Sequence, residues 1–403
     1  MNKLTIRVLA IAAGAMALPA FAQEGVLYSF NPEADGNPVA RLLLEKKTLF
    51  GTTQGQGSSD GTVFELKQSG NSWTESTPVT FNGDNGAYPG AGLIADSSGD
   101  LYGTTGSAST YNGGTAFELT PSGNGWTFQT IWSFGNTATH DGDYPDGDLL
   151  MDSTGAIYGT TVQGGTSNLG TVFKLTNSGG VWTESVLYNF AGGSDGQFPE
   201  AGLAMDSSGA LYGTTYYGGG SGTCNVGCGT VFELTQSGGV WDETVLHAFG
   251  NGTDGQFPAY GPLLLANSGA LYGTTGSGGT NDWGIAYELT PSNGKWKEKV
   301  LHNFGGGGGD GAGVGGGLIK GQSGTMFGTT ELGGANDGGT VFELTNTNGS
   351  WTEGVVTSFP NFTGDGFYPV ADVAIDKKSG TLYGVTKQGG ADGWGSVYQI
   401  VLP

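Results

Sequence analysis

Three charged residues stand out by their place in the sequence. Arg41, Asp148 and Asp372 each come immediately before an apolar run, at Leu42, Leu149 and Val373. Similar runs elsewhere are preceded by Gly92, Gly202, Pro262 and Gly317. One cation with two carboxylates can orient a polar ligand, or supply a proton donor and acceptor. A structural ion pair between Arg41 and Asp372 is the simpler reading. A second acidic group lies in the run His140-Asp141-Gly142-Asp143-Tyr144-Pro145-Asp146-Gly147-Asp148. Asp141, Asp143 and Asp146 are candidate ligands for Ca²⁺, although their spacing matches no EF-hand loop. Loop aromatics at Tyr216, Tyr217, Tyr260, Trp283 and Trp394 present flat rings of the kind that stack on sugars. His140 is the one free imidazole. His247 and His302 occupy the place of Tyr28 and Tyr188 in a recurring strand and read as packing residues. No nucleophile elbow, phosphate loop or zinc pattern is present, so no cofactor is required.

The elements that hold these groups are exported ones. Lys3 and Arg7 open the chain, an apolar run from Val8 to Leu18 follows, and Ala20-Phe21-Ala22 supplies a small-x-small cleavage signal. This predicts a signal peptide over 1–22, too short in its apolar part to remain as a membrane span. A secreted or periplasmic location follows, and with it a disulfide between Cys224 and Cys228. The formal charge of −22 repels nucleic acid and anionic lipid. Glycans, cations or a protein partner remain, and a monomer is expected. The 81 glycines, set among many aromatics, indicate short strands joined by tight turns.

One unit recurs seven times. The glycine of its Tyr-Gly-Thr element, or the variant of it, falls at 51, 103, 159, 213, 273, 328 and 384. Such a period, slightly above fifty, with several β segments per unit fits propeller blades. In the clearest copy strand a is the apolar run ending at Asp206-Ser207-Ser208-Gly209. Strand b is Leu211-Tyr212-Gly213-Thr214-Thr215, strand c Thr230-Val231-Phe232-Glu233-Leu234-Thr235, and strand d Trp241 to Phe249. The Trp and Phe of strand d are eight apart in six copies, an even spacing that places both on one strand face. Strands a to c number seven but Trp-to-Phe strands only six. The chain stops after a strand c, Ser396 to Pro403, and Val26-Leu27-Tyr28-Ser29-Phe30 matches the end of a strand d. The prediction is therefore all-β: residues 23–403 form a single seven-bladed β-propeller of four-stranded blades, with the N-terminal strand completing the last blade.

The Leu-Tyr-Gly-Thr-Thr, Gly-Gly, Gly-Thr-Val-Phe-Glu-Leu and Trp-Thr-Glu runs resemble the GloVer repeat of choice-of-anchor tandem repeat proteins from Gram-negative and related bacteria. A more distant likeness is to Kelch blades. The resemblance implies an exported propeller and no particular activity. Long, variable d–a and b–c loops share one face, where binding residues concentrate. The Asp-Gly-x-aromatic-Pro runs of the d–a loops, such as Asp195 to Pro199, read as turn formers. The sequence therefore predicts a non-catalytic binding or scaffold propeller that recognises a glycan or protein on this face. The alternative is a polysaccharide hydrolase or lyase using Asp148 and Asp372. The channel mouth lined by Arg41, Asp148 and Asp372, with Trp283, Trp394 and His140 on its rim, is the expected site.

Overall fold

The computed structural model describes residues 22–31, 36–55, 59–220, 223–250, 253–258, 261–305, 307–361 and 366–403. The leader, Asp35, Tyr260 and Asp365 lie outside these. The chain forms seven antiparallel sheets arranged as blades, the first six built from strands a to d in chain order. Blade four pairs Ala204–Met205, Leu211–Thr215, Thr230–Ser237 and Val240–Ala248. No α-helix occurs among the described residues, and none is long and apolar enough to cross a membrane. The last blade takes its fourth strand from the start of the chain. Gln23–Ser29 runs antiparallel to Ser396–Val401, from Gln23 opposite Val401 to Ser29 opposite Ser396.

The recurring motif can be read residue by residue. The Tyr of strand b donates to the Glu of strand c, as Tyr212 Oη does to Glu233 Oε1 at 2.8 Å and Tyr272 to Glu288 at 2.7 Å. That accounts for the repeated glutamate as a structural group. The glycine that follows lies under the aromatic ring of strand c: a Cβ on Gly213 would sit 2.5 Å from Phe232 Cζ. The first Thr reaches the next blade, as Thr160 Oγ1 does to the Ala201 carbonyl at 3.0 Å. The second pairs with the opening Thr of strand c, as Thr161 does with Thr171 at 2.8 Å. In most blades these side chains thus make contacts that fix strand order or blade docking, whereas Thr104 and Thr214 Oγ1 are buried without a hydrogen-bond partner among the described residues.

The core lies in the gaps between blades. Phe249, at the end of strand d, packs on Tyr287 of the next blade with ring centroids 5.1 Å apart. Trp296 packs the other way, on Tyr212 of the preceding blade. Trp and Phe of one strand d therefore face opposite gaps, not one face as their even spacing implies. A β-bulge between them is the reason. In blade three the register shifts at Val172/Phe173, so Leu187 is skipped and the side-chain alternation inverts. The N-terminal strand carries the same shift, with Leu27 skipped.

The a–b turn is closed by its aspartate. Asp206 Oδ1 accepts from the backbone N–H of Ser208 and Ala210 at 2.8 and 3.0 Å. The d–a aspartates act similarly: Asp195 accepts from the Ala191 and Gly196 N–H groups and from Tyr188 Oη. These repeated acids form turns.

Candidate functional site

Strand a is the innermost strand, and the residues leading into it converge at the upper mouth of the channel. A cavity of about 180 Å³ opens there. Five ionisable side chains line it: Arg41, Asp146, Asp148, Glu200 and Asp372. Arg41 is the sole arginine after Arg7. Its Nε lies 3.1 Å from Asp148 Oδ2, so the ion pair spans blades one and three and is not the Arg41–Asp372 closure pair suggested by the sequence. Gly92 of blade two explains the reach. Lacking a side chain, it leaves the space that Asp148 and Arg41 fill, and its N–H donates to Asp148 Oδ1 at 2.7 Å. The Asp148 carboxylate in turn holds the Arg41 guanidinium above its usual range, against the opposing cost of burial. Asp372 is only 5% exposed and accepts from the Gly317 N–H. Burial pushes it up to about 6, and Arg41 opposes the rise.

Two cavity carboxylates take no part in this framework. Burial raises Asp146 to about 6, with Asp148 adding to the rise. Glu200 is pushed up to about 7 by burial and by Asp146. Among the described residues neither is hydrogen-bonded or ion-paired. Glu200 was missed in the sequence reading, and Asp146 was assigned to another site. Both lie two residues before the position compared there, where other blades have Val39, Gly90 and Val370. That position also faces the mouth, and the same comparison made one step further out would have found both acids.

The three acids of the blade-three run are separated. Asp141 and Asp143 flank a different cavity together with His140, whereas Asp146 lines the central one. The chain turns between them at Tyr144, in left-handed backbone (φ 64°) before Pro145. Asp141 is also committed: its Oδ2 accepts from Trp132 Nε1 at 3.3 Å. Tyr216 and Tyr217 do not line the mouth. They pack with Phe257, Tyr216 stacked on it at 5.0 Å. Trp394 lies over Gly36 and joins the core between blades seven and one. Trp283 is exposed but outside the cavity lining. His247 and His302 sit edge-on to Phe249 and Phe304, and each also contacts an aspartate. Cys224 and Cys228 form the expected disulfide in the b–c loop of blade four.

Other aromatics occupy the d–a loops. In each d–a loop the residue before the proline, or in its place, has left-handed backbone: Asn37, Tyr88, Tyr144, Phe198, Phe257, Gly313 and Tyr368. Its N–H and carbonyl bridge loops of adjacent blades. Tyr144 N–H, for example, donates to the Gly113 carbonyl, and the Tyr144 carbonyl accepts from Val162 N–H. Asn37 and Gly313 make the same turn at little steric cost, so the turn does not require a ring. A bulky residue in this conformation is strained. Phe198 and Phe257 pack against the Tyr216–Tyr217 cluster. Tyr88 and Tyr144 remain 42% and 39% exposed. Burial raises the Tyr144 phenol, and the nearby carboxylates of Asp146 and Glu200 raise it further.

The sequence profile of the Gloeobacter/Verrucomicrobia repeat matches residues 18–226 and 221–403. No curated protein matches the chain in sequence. Among solved structures, a fungal alcohol oxidase of the AA5 family, in complex with copper, is 14% identical with a TM-score of 0.57, over 94% of this chain and 76% of that one. A Bacteroides uniformis protein whose 6-phosphogluconolactonase assignment is provisional is also 14% identical, with a TM-score of 0.54 over 84% and 88%. The polysaccharide lyase Uly1 is 12% identical with a TM-score of 0.51 over 93% and 91%. At these identities the likeness is one of fold.

Proposed function

This chain belongs to the Gloeobacter/Verrucomicrobia repeat family, and from its site we propose that it is an exported binding propeller that takes the end of a glycan into the channel mouth. The observation that carries this reading is the pair Tyr88 and Tyr144. Both are exposed rings kept in strained backbone where an asparagine or glycine makes the same turn. A flat ring beside two unengaged carboxyls suits a sugar: the ring takes the C–H face and the carboxyls take hydroxyls. The cavity is smaller than the roughly 300–1,000 Å³ of sites that enclose drug-sized ligands, which favours one terminal sugar over a buried chain. Export is supported by the leader pattern of residues 1–22 and by the Cys224–Cys228 disulfide.

A hydrolase or lyase reading rests on other carboxylates than those the sequence indicated. Asp148 is ion-paired and Asp372 is held by backbone, so Asp146 and Glu200 would be the acid–base pair. A glycan array with product analysis separates the two readings. Binding without cleavage, weakened at least tenfold by Tyr144→Ala and by Glu200→Gln, supports the binding propeller. Cleavage that stops in Glu200→Gln replaces it with the enzyme. Retention of no glycan, or unchanged binding by both variants, overturns both.

A further inference from the structure

The junction between blades five and six brings an imidazole and two carboxylates together from three separate elements. His302 lies in strand d of blade five, Lys295–Asn303, and Glu353 in strand d of blade six, Ser350–Ser358. Asp310 comes from the d–a loop between them. His302 Nε2 is 3.3 Å from Asp310 Oδ1. One donor atom from each of the three residues falls within 4.8 Å of the other two. Asp310 has a structural duty on its second oxygen, which accepts from the Gly305 N–H at 2.8 Å and so aims Oδ1 at the imidazole. Glu353 Oε1 is buried and accepts no hydrogen bond among the described residues, as is true of the matching Glu184, Glu243 and Glu298.

We propose that His302, Asp310 and Glu353 form a binding site for a divalent cation of the zinc class that pins blades five and six together. An ion triad is the competing arrangement, and it serves the groups poorly. The His302 Nε2 contact goes to Asp310 and leaves Glu353 Oε1 unserved. A cation engages all three. The donor set selects its class: one imidazole nitrogen with two carboxylate oxygens suits zinc and its neighbours, whereas Ca²⁺ takes six to eight oxygen ligands. Two donors about 2.0–2.2 Å from a tetrahedral ion lie a little over 3 Å apart, in line with the His302–Asp310 separation. Both side chains are 23% exposed, which leaves an approach from solvent.

A neighbouring junction supplies an internal control. His247, Asp254 and Glu298 occupy the matching positions between blades four and five, and His247 Nε2 lies 3.1 Å from Asp254 Oδ2. Among the described residues, however, only the His302 group brings all three donors within that common range. Earlier junctions have Trp132 and Tyr188 in place of the histidine.

The test is titration of the chelator-treated full chain with ZnCl₂ at neutral pH, read by calorimetry and by thermal melting, with Co²⁺ absorption as a spectroscopic check. The expected result is one saturable site that Ca²⁺ does not compete for, a raised melting temperature, and visible Co²⁺ bands of a four-coordinate ion. His302→Ala and Glu353→Gln should each weaken binding at least tenfold, while His247→Ala leaves it unchanged. Weak, multiple, Ca²⁺-displaceable binding that persists in His302→Ala would mean diffuse surface acids and would overturn the site. So would an unaltered melting temperature together with octahedral Co²⁺ bands in the unsubstituted chain, whatever the folding state of the variants.

Discussion

Phe30 packs on Phe64 with ring centroids 5.0 Å apart, an edge-on contact between the first strand of the chain and the third strand of blade one. The same contact recurs at the other junctions, from Phe81 on Phe117 to Phe359 on Tyr398. Closure of the ring therefore uses no special device. The N-terminal strand supplies the aromatic group that every other blade supplies from its own strand d.

Phe30→Ala should cost what the same change costs inside the ring. Phe30 and Phe304 are both fully buried, and truncating a buried Phe typically removes about 3–5 kcal/mol. Denaturant unfolding of Phe30→Ala and Phe304→Ala should agree within about 1 kcal/mol if closure is equivalent to any other junction. A loss below about 1 kcal/mol for Phe30→Ala alone would show that the ring does not depend on this strand.

Gly213→Ala tests the close approach that fixes the Tyr-Gly-Thr motif. Its Cβ would lie 2.5 Å from Phe232 Cζ and 2.9 Å from Leu203 Cδ2. Both are packed core atoms, so overpacking should cost about 1–3 kcal/mol or more. Gly125 has nothing within 4 Å of its Cβ position, and Gly125→Ala should be neutral or slightly stabilising. Equal melting temperatures for the two variants would refute the steric account.

These two cases show why the fold was legible and part of the site was not. Blade number and closure follow from counts: strands a to c seven times, Trp-to-Phe strands six, and the missing half strand at Val26 to Phe30. The bulge that turns Trp and Phe to opposite gaps has a proline, Pro78, in blade one only, and elsewhere skips an ordinary aliphatic residue such as Leu187, so no shared residue marks it. Arg41, Asp148 and Asp372 were visible because they break a repeat, and the structure does gather them. Their partners were not visible, because Arg41 reaches past blade two through the space left by Gly92. Tyr88 and Tyr144 resemble Phe198 and Phe257 in sequence, and only burial separates exposed rings from packed ones.

Stability should fall as pH rises, because of glutamates in strand d. Burial pushes Glu184 up to about 8, aided by Asp141, and Glu243 up to about 7, aided by Asp195. In the unfolded chain both titrate near 4.3. Between these limits the folded state binds more protons, so stability declines with rising pH and levels off above about 8. Glu184→Gln keeps the neutral form at every pH. It should leave the unfolding free energy unchanged near pH 4 and raise it at pH 8.5, by an amount on the order of 1 kcal/mol. A variant that destabilises equally at both pH values would show that Glu184 is ionised in the fold.

The Arg41–Asp148 pair should show measurable coupling. Asp148 does two things at once: it meets the Arg41 guanidinium and it accepts from the Gly92 N–H. Asp148→Ala removes both, and with the two side chains 33% and 14% exposed the cost should fall below the 3–5 kcal/mol of a fully buried broken pair, at about 1–3 kcal/mol. Asp148→Asn retains an acceptor for Gly92 and should cost less. Arg41→Ala leaves Asp148 and Asp372 facing each other across the cavity, so it too should destabilise. In Arg41→Ala/Asp148→Ala the partner carboxylate Asp372 keeps its Gly317 donor and loses a like-charged neighbour. The double variant should therefore be more stable than the sum of the singles predicts, by about 0.5–3 kcal/mol. Because the pair is partly shielded, this coupling should persist in high salt, where an exposed pair would lose it. Additive losses, or coupling abolished by salt, would reduce the pair to a surface contact and remove the framework on which Asp146 and Glu200 are presented.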